Sequence, residues 1–189
     1  MRLFAAVLPP DAVVDELAQA AAKLKTLPGA KDLRWTAPDG WHFTLAFMAE
    51  VADDTVPDLT ERLSRAAHRT TPFPLSLHAG GHFGDRALWT GVAGDIDTLR
   101  LLAARANAAA RKSGITMEEH RHYRPHLTLA RGKGDPPLAP YADELATFRG
   151  EEWTVDELTL VRSNLPRSGM PGERPRYEVV GRWPLGGAG

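Results

Sequence analysis

Two short segments hold the residue types best suited to chemistry: His42-Phe43-Thr44-Leu45 and His126-Leu127-Thr128-Leu129. In each, a histidine and a threonine are separated and followed by an apolar residue. With 7 His and 14 Thr in 189 residues, about 0.5 His-x-Thr is expected by chance, and roughly 0.1 once both apolar neighbours are required. Two copies therefore need a reason. In a strand, alternation puts His42 and Thr44 on one face and Phe43, Leu45 and Phe47 on the other; His126 and Thr128 likewise oppose Leu127 and Leu129. One face is built for a core, and the other offers an imidazole beside a hydroxyl. Histidine is the side chain whose ordinary pKa lets it serve near neutrality as neutral base or protonated acid. Two of them can divide the work of a displacement at phosphorus, one taking a proton from water and one giving a proton to the departing oxygen. Threonine hydroxyls can hydrogen-bond the non-bridging oxygens, and a nearby arginine can offset their charge. Such chemistry requires no metal.

The elements that must position these segments can be read from patterning. Leu3 to Leu8 is an apolar run stopped by Pro9-Pro10, as in a buried strand, and Asp11 to about Thr26 has apolar residues at helical spacing, ended by Pro28-Gly29. Trp41 to Met48 reads as a strand and Asp54 to Arg69 as a helix. Leu75 to Ala79 and Ala87 to Val92 read as strands, and a helix follows from Asp95, its N-cap, to Ser113, with Gly114 as its stop. His126 to Arg131 is a strand, Pro140 to Phe148 a short helix, and Trp153 to Arg162 and Tyr177 to Trp183 are closing strands. A doubly wound dinucleotide fold is excluded, because Pro9-Pro10 stands where its Gly-rich phosphate loop would follow the first strand. A shift of 84 positions brings whole elements into register: Leu3 to Leu8 onto Ala87 to Val92, Asp11 onto Asp95, Leu17 onto Leu101, and His42 to Ala46 onto His126 to Ala130. The expectation is an internal duplication, with two strand-helix-strand lobes facing one another across a cleft.

Composition sets the remaining bounds. The length suits one domain or two closely packed lobes. Zero cysteines exclude a disulfide framework, a thiolate metal site and a cysteine nucleophile. No apolar run approaches the roughly 20 residues that cross a bilayer, and the first residues lack the pattern of a secretory signal, so a cytoplasmic location is expected. Lys+Arg 23 against Asp+Glu 24 gives a net charge of −1, which argues against coating nucleic acid by bulk electrostatics. A polyanion must be met locally. Arg121, Arg124, Arg131 and Lys133 form one basic stretch, and five arginines between Arg162 and Arg182 form another.

At these residues the chain resembles the two-histidine (2H) phosphoesterase superfamily, defined by paired His-x-Thr/Ser-x motifs, and within it the RNA 2',3'-cyclic phosphodiesterases, historically called 2'-5' RNA ligases. The likeness runs from Met1-Arg2-Leu3-Phe4 and Leu8-Pro9-Pro10, through Leu33-Arg34-Trp35 and Trp41 to Leu45, to Arg124 to Arg131 and Leu160 to Ser163 before Tyr177. The resemblance implies a bilobal α+β fold spanning residues 1–189, with antiparallel sheets lining a central cleft and helices outside. It implies hydrolysis of RNA or nucleotide 2',3'-cyclic phosphates to a 2'-phosphate, and weak reversible 2'-5' joining of RNA ends. It carries His42 and His126 onto the catalytic positions and Thr44, Thr128 and Arg131 onto phosphate binding. His126 would activate water and His42 would protonate the leaving oxygen. Strict alternation puts Arg131 on the wrong face, so a bulge or strand end near Gly132 must reorient it, and Arg124 or Arg121 are alternatives. The family's Phe-x-Gly-Glu after the first motif is here Phe47-Met48-Ala49-Glu50. No cofactor or metal is implied. The expected partners are RNA with 2',3'-cyclic phosphate ends or cyclic nucleotides, with no membrane, and the chain is expected to act as a monomer.

Competing readings attach to other residues. His78, His82, His120, His122 and His126 invite a zinc site, yet no carboxylate accompanies them at a familiar spacing. His68, between Arg65 and Arg69, reads as solvated surface. Phe83, Tyr123 and Trp35 could stack on a base or fill the core. Ser163 to Pro175, rich in Gly and Pro, reads equally as a flap or a plain connection. The chain has no nucleoside-triphosphate loop or lysine nucleophile motif for an ATP-dependent ligase. The alternative to an enzyme is a non-catalytic RNA or nucleotide-binding module with the same cleft.

Overall fold

The computed structural model describes residues 1–118, 123–166 and 175–187. In chain order the elements are β1 (Leu3–Val7), α1 (Asp11–Leu24), β2 (Arg34–Trp35), β3 (Phe43–Met48), α2 (Val56–His68), β4 (Phe73–Phe83), β5 (Ala87–Gly94), α3 (Ile96–Lys112), β6 (Leu127–Arg131), α4 (Ala139–Glu144), β7 (Trp153–Val155), β8 (Glu157–Asn164) and β9 (Arg176–Pro184). They form two antiparallel sheets, one ordered β3-β1-β8-β9 and the other β2-β6-β5-β4-β7. The architecture is bilobal α+β.

All five residues of β1 are buried. That requires cover on both faces. Leu3, Ala5 and Val7 join the main core, whereas Phe4 and Ala6 pack with Val161 and Leu8 in a small second cluster on the opposite face. The main core is continuous through both lobes, with Leu17 of α1, Leu63 of α2, Leu99 of α3, Phe43 of β3 and Leu127 of β6 fully buried in it. Each such side chain contributes about 1.5–3 kcal/mol by leaving water. Its continuity resists hinge opening between the lobes. Asp95 caps α3, its carboxylate accepting from the Thr98 amide at 3.0 Å and the Thr98 hydroxyl at 2.7 Å, and Gly114 follows the helix with φ +90°. None of the described helices is long and apolar enough to cross a membrane.

The 84-residue shift carries β1 onto the first part of β5, α1 onto α3, and β3 onto β6. The expected strand from Trp153 to Arg162 is instead two strands. β7 pairs with β4 in one sheet and β8 with β1 in the other, and the chain passes between sheets at Asp156. Apolar patterning shows that each half is buried but not that they are buried in different sheets. The terminal strands β8 and β9 thus complete the lobe that the chain began with β1, and β2 completes the other. The helix expected at Pro140 to Phe148 ends at Glu144.

Candidate active site

Both histidines are aimed by the same local device. The Nδ1–H of His42 donates to the Gly40 carbonyl at 2.7 Å, and that of His126 donates to the Arg124 carbonyl at 2.7 Å. Donation from Nδ1 leaves Nε2 as the proton-accepting nitrogen of the neutral ring. Aromatic neighbours fix the ring planes. His42 stacks on Phe4 at 4.4 Å and meets Tyr177 edge-on at 5.6 Å; His126 meets Phe83 edge-on at 4.9 Å with Trp89 at 6.0 Å. Gly40 leaves room for this packing, since a Cβ there would stand 3.1 Å from the Tyr177 ring.

His42, Thr44, His126, Thr128 and Arg131 all line one cleft of about 200 Å³, together with Arg2, Phe4, Thr36, Phe47, Ser163 and Tyr177. His42 Nε2 lies 3.0 Å from the Thr44 hydroxyl. The two imidazoles are close enough for charge on His126 to bear on the protonation of His42. Burial pushes the His42 ring below its ordinary value of 6.5; the Gly40 carbonyl opposes this, and positive charge on His126 and Arg131 adds to the lowering. For His126, burial again dominates, the Arg124 carbonyl opposes, and the Arg131 and Arg124 guanidiniums lower it further. Both rings are thus biased toward their neutral forms, and an anion entering between them would favour their charged forms.

Arg131 reaches the cleft because β6 is bulged. Its pairing to β5 runs Leu88 opposite Ala130 and then Trp89 opposite Thr128, leaving Leu129 as an extra residue. An extra residue reverses the alternation, so Arg131 returns to the face of His126 and Thr128 despite its odd spacing. The bulge lies at Leu129, short of the Gly132 expected from sequence. β3 carries the same irregularity: Ala5 faces Ala46, Ala6 faces Thr44, and Leu45 is extra. This corrects the placement of Phe47 on the core face. It is 39% exposed, lines the cleft, and has the Arg2 guanidinium 4.7 Å from its ring centroid. Phe47 and Arg131 occupy corresponding positions in the two lobes, so the shift that relates the motifs was the sequence signal for it. Arg2, Thr36 and Phe4 had no such signal.

Each bulge leaves a carbonyl that its strand partner does not take. The Thr36 amide donates to the Leu129 carbonyl at 2.8 Å, and Asn107 Nδ2 of α3 donates to the Leu45 carbonyl at 3.0 Å as well as to Ala103 at 2.8 Å. Asn107→Ala should lower unfolding stability by about 1–3 kcal/mol in a denaturant titration, because it strands the Leu45 oxygen beside the strand that holds His42 and Thr44.

Other candidates fall away from the cleft. Trp35 donates through Nε1 to the Ala30 carbonyl at 2.9 Å and packs edge-on against Tyr141, and Phe83 is spent on His126 and Trp89. The Tyr123 hydroxyl is buried without a partner among the described residues. Arg124 has its guanidinium 6.0 Å from the Phe83 ring. His82 donates to the Gly84 carbonyl, and among the described residues no three His, Cys, Asp or Glu side chains gather as metal ligands would. His120, Arg121 and His122 lie outside the described residues, as does most of the Ser163 to Pro175 segment.

The chain is similar to known proteins over most of its length. Residues 9–167 match the family model described as the 2'-5' RNA ligase superfamily. The RNA 2',3'-cyclic phosphodiesterase of Thermus thermophilus is 31% identical over 194 residues, covering 99% of this chain and 91% of that protein. The Geobacillus stearothermophilus protein of the same name is 30% identical over 159 residues, covering 82% of this chain; the match spans about half, 48%, of that relative's length. The crystal structure of E. coli LigT complexed with 3'-AMP has a TM-score of 0.77 and 28% identity, covering 97% of both chains.

Proposed function

Since the chain belongs to the 2'-5' RNA ligase superfamily, we propose that it is an RNA 2',3'-cyclic phosphodiesterase that opens the cyclic phosphate to a 2'-phosphomonoester, with His126 as general base, His42 as general acid and no metal required. The observation that carries this reading is the convergence of both His-x-Thr faces and Arg131 on one phosphate-sized cleft. His126 Nε2 takes a proton from water as its oxygen bonds to phosphorus. The bond from phosphorus to the 3' oxygen breaks, and that oxygen leaves with a proton from His42 Nε2. Thr44 and Thr128 donate to non-bridging oxygens, and Arg131 offsets the charge that grows on them. The exposed ring of Phe47, on the strand that carries Thr44, offers a face on which the terminal base can stack. With the 5'-hydroxyl of a second RNA in place of water, the same displacement forms a 2'-5' phosphodiester as the bond to the 3' oxygen breaks and that oxygen takes the proton, so weak, reversible 2'-5' ligation belongs to the same reading. The 84-residue correspondence supports taking residues 1–189 as one domain built by duplication.

Phosphorus NMR on a 2',3'-cyclic nucleotide tests the assignment. The cyclic signal should give way to a 2'-phosphate alone, at the same rate with and without chelator. Binding without turnover would favour a non-catalytic nucleotide-binding module, and a 3'-phosphate product would reverse the choice of leaving oxygen.

The pH profile follows from the lowered imidazoles. The base must be neutral and the acid charged in free enzyme, and both rings titrate below 6.5. Both limbs of kcat/KM should therefore lie on the acid side of 6.5, with the maximum between them. The bound phosphate anion stabilises the imidazolium, so the alkaline limb of kcat should lie at higher pH than that of kcat/KM. Coincident limbs above pH 7 would contradict the proposed roles.

A further inference from the structure

Beside the cleft, and sharing Thr36, Arg131 and Tyr177 with it, opens a larger hollow of about 600 Å³. Among the described residues three arginines line it, from three separate strands: Arg34 of β2, Arg131 of β6 and Arg176 of β9. Arg34 and Arg131 stand directly opposite one another in the β2–β6 pairing. Like charges in cross-strand register repel. Among the described residues none of the three makes an ion pair, and the hollow's one acidic side chain, Asp39, pairs with none of them. An anion bound between the strands would relieve the repulsion.

A cyclic phosphate can occur on a mononucleotide or at the 3' end of an RNA strand. In the strand, the chain continues from the 5' oxygen of the terminal nucleoside, and each further nucleotide adds a phosphodiester charge that must leave the cleft by some route. Among the described residues, two hollows adjoin the cleft. The one past Phe47 is lined by Leu45, Ala46 and Met117 and sets the Glu118 carboxylate against a single guanidinium, Arg124, so it suits a base and offers a backbone no net positive charge. The other carries the three arginines.

Resting on the reading above, we propose that the Arg34–Arg131–Arg176 hollow is a track for the phosphodiester backbone 5' of the reacting end, making single-stranded RNA with a cyclic phosphate terminus, rather than a free cyclic nucleotide, the preferred substrate. Arg131 serves both the reacting phosphate and the mouth of the track. Arg34 and Arg176 serve the track alone.

The test compares a fluorescein-labelled RNA hexamer ending in a 2'-phosphate with a 2'-nucleoside monophosphate, binding each to the parent protein and to Arg34→Ala, Arg176→Ala and the double variant. Neither ligand turns over, so binding is read apart from chemistry. The double variant should lose about tenfold in hexamer affinity relative to mononucleotide affinity, and the salt slope for the hexamer should fall by about 1.4, near 0.7 for each phosphate that an arginine no longer neutralises. Arg34→Lys with Arg176→Lys should restore most of both. Equal losses for the two ligands, or an unchanged salt slope, would overturn the track. Turnover of a hexamer with a cyclic end is measured in parallel: arginine-dependent binding without hydrolysis would defeat the phosphodiesterase reading and leave the track standing.

Discussion

His126→Ala is expected to hydrolyse a 2',3'-cyclic nucleotide about a thousandfold or more slowly than the parent protein, and His42→Ala to fall similarly. A positioned acid or base contributes typically 10²- to 10⁴-fold. The roles act in one step, so the double variant should lose little beyond the worse single variant rather than the product of the two. Folding is the necessary control. Both rings are half-buried, but His126 meets Phe83 edge-on whereas His42 is stacked on Phe4 and flanked by Tyr177, so the His42 variant should lose more stability. Truncating either ring costs packing on the order of 1–2 kcal/mol. Steady-state rates with a thermal melt on each variant separate the effects, and undiminished turnover in folded His42→Ala and His126→Ala would defeat the mechanism. The limbs of the pH profile then assign the pair. Loss of the acid limb in His126→Ala and of the alkaline limb in His42→Ala is expected; the opposite pattern would exchange base and acid.

Arg131→Ala should lower kcat about 10²- to 10³-fold, the range typical of removing a preorganised donor to developing negative charge. Arg131→Lys should recover only part of this, because an ammonium keeps the charge but loses the planar fork that can grip two phosphate oxygens. A second readout is peculiar to this site. The Arg131 guanidinium helps hold both imidazoles below 6.5. Its removal should therefore move both limbs of kcat/KM to higher pH, with the acid limb now marking a base that protonates more readily. A uniform drop in rate with unmoved limbs would mean that Arg131 does not share the cleft's electrostatics with the histidines.

The repeated motif, its 84-residue spacing and the strand-helix order were legible because each is a local pattern: alternation marks the faces of a strand, and three- and four-residue spacing marks the stripe of a helix. The repeated His and Thr positions were legible for the same reason, since two residues apart in a strand means one shared face. Asp95 and Gly114 were readable as the ends of α3, capping being a matter of neighbours in sequence. The division at Asp156 was not readable, because Trp153–Val155 and Glu157–Asn164 are each consistent with a buried strand and only their distant partners, β4 and β1, assign them to different sheets.

The bulges mark the boundary most clearly. From sequence, strict alternation placed Phe47 in the core and left Arg131 in need of a reorientation whose position was unknown. Tertiary pairing decided both, inserting Leu45 opposite β1 and Leu129 opposite β5 and satisfying the freed carbonyls from Asn107 and Thr36. Sequence by itself determined which side chains could do acid–base work on a phosphate. Only the folded chain decided that they meet, what lines the cleft around them and where its charged walls lead. A bulge depends on which strand lies alongside, and for β3 that strand is β1, separated from it in the chain by the whole of α1 and β2.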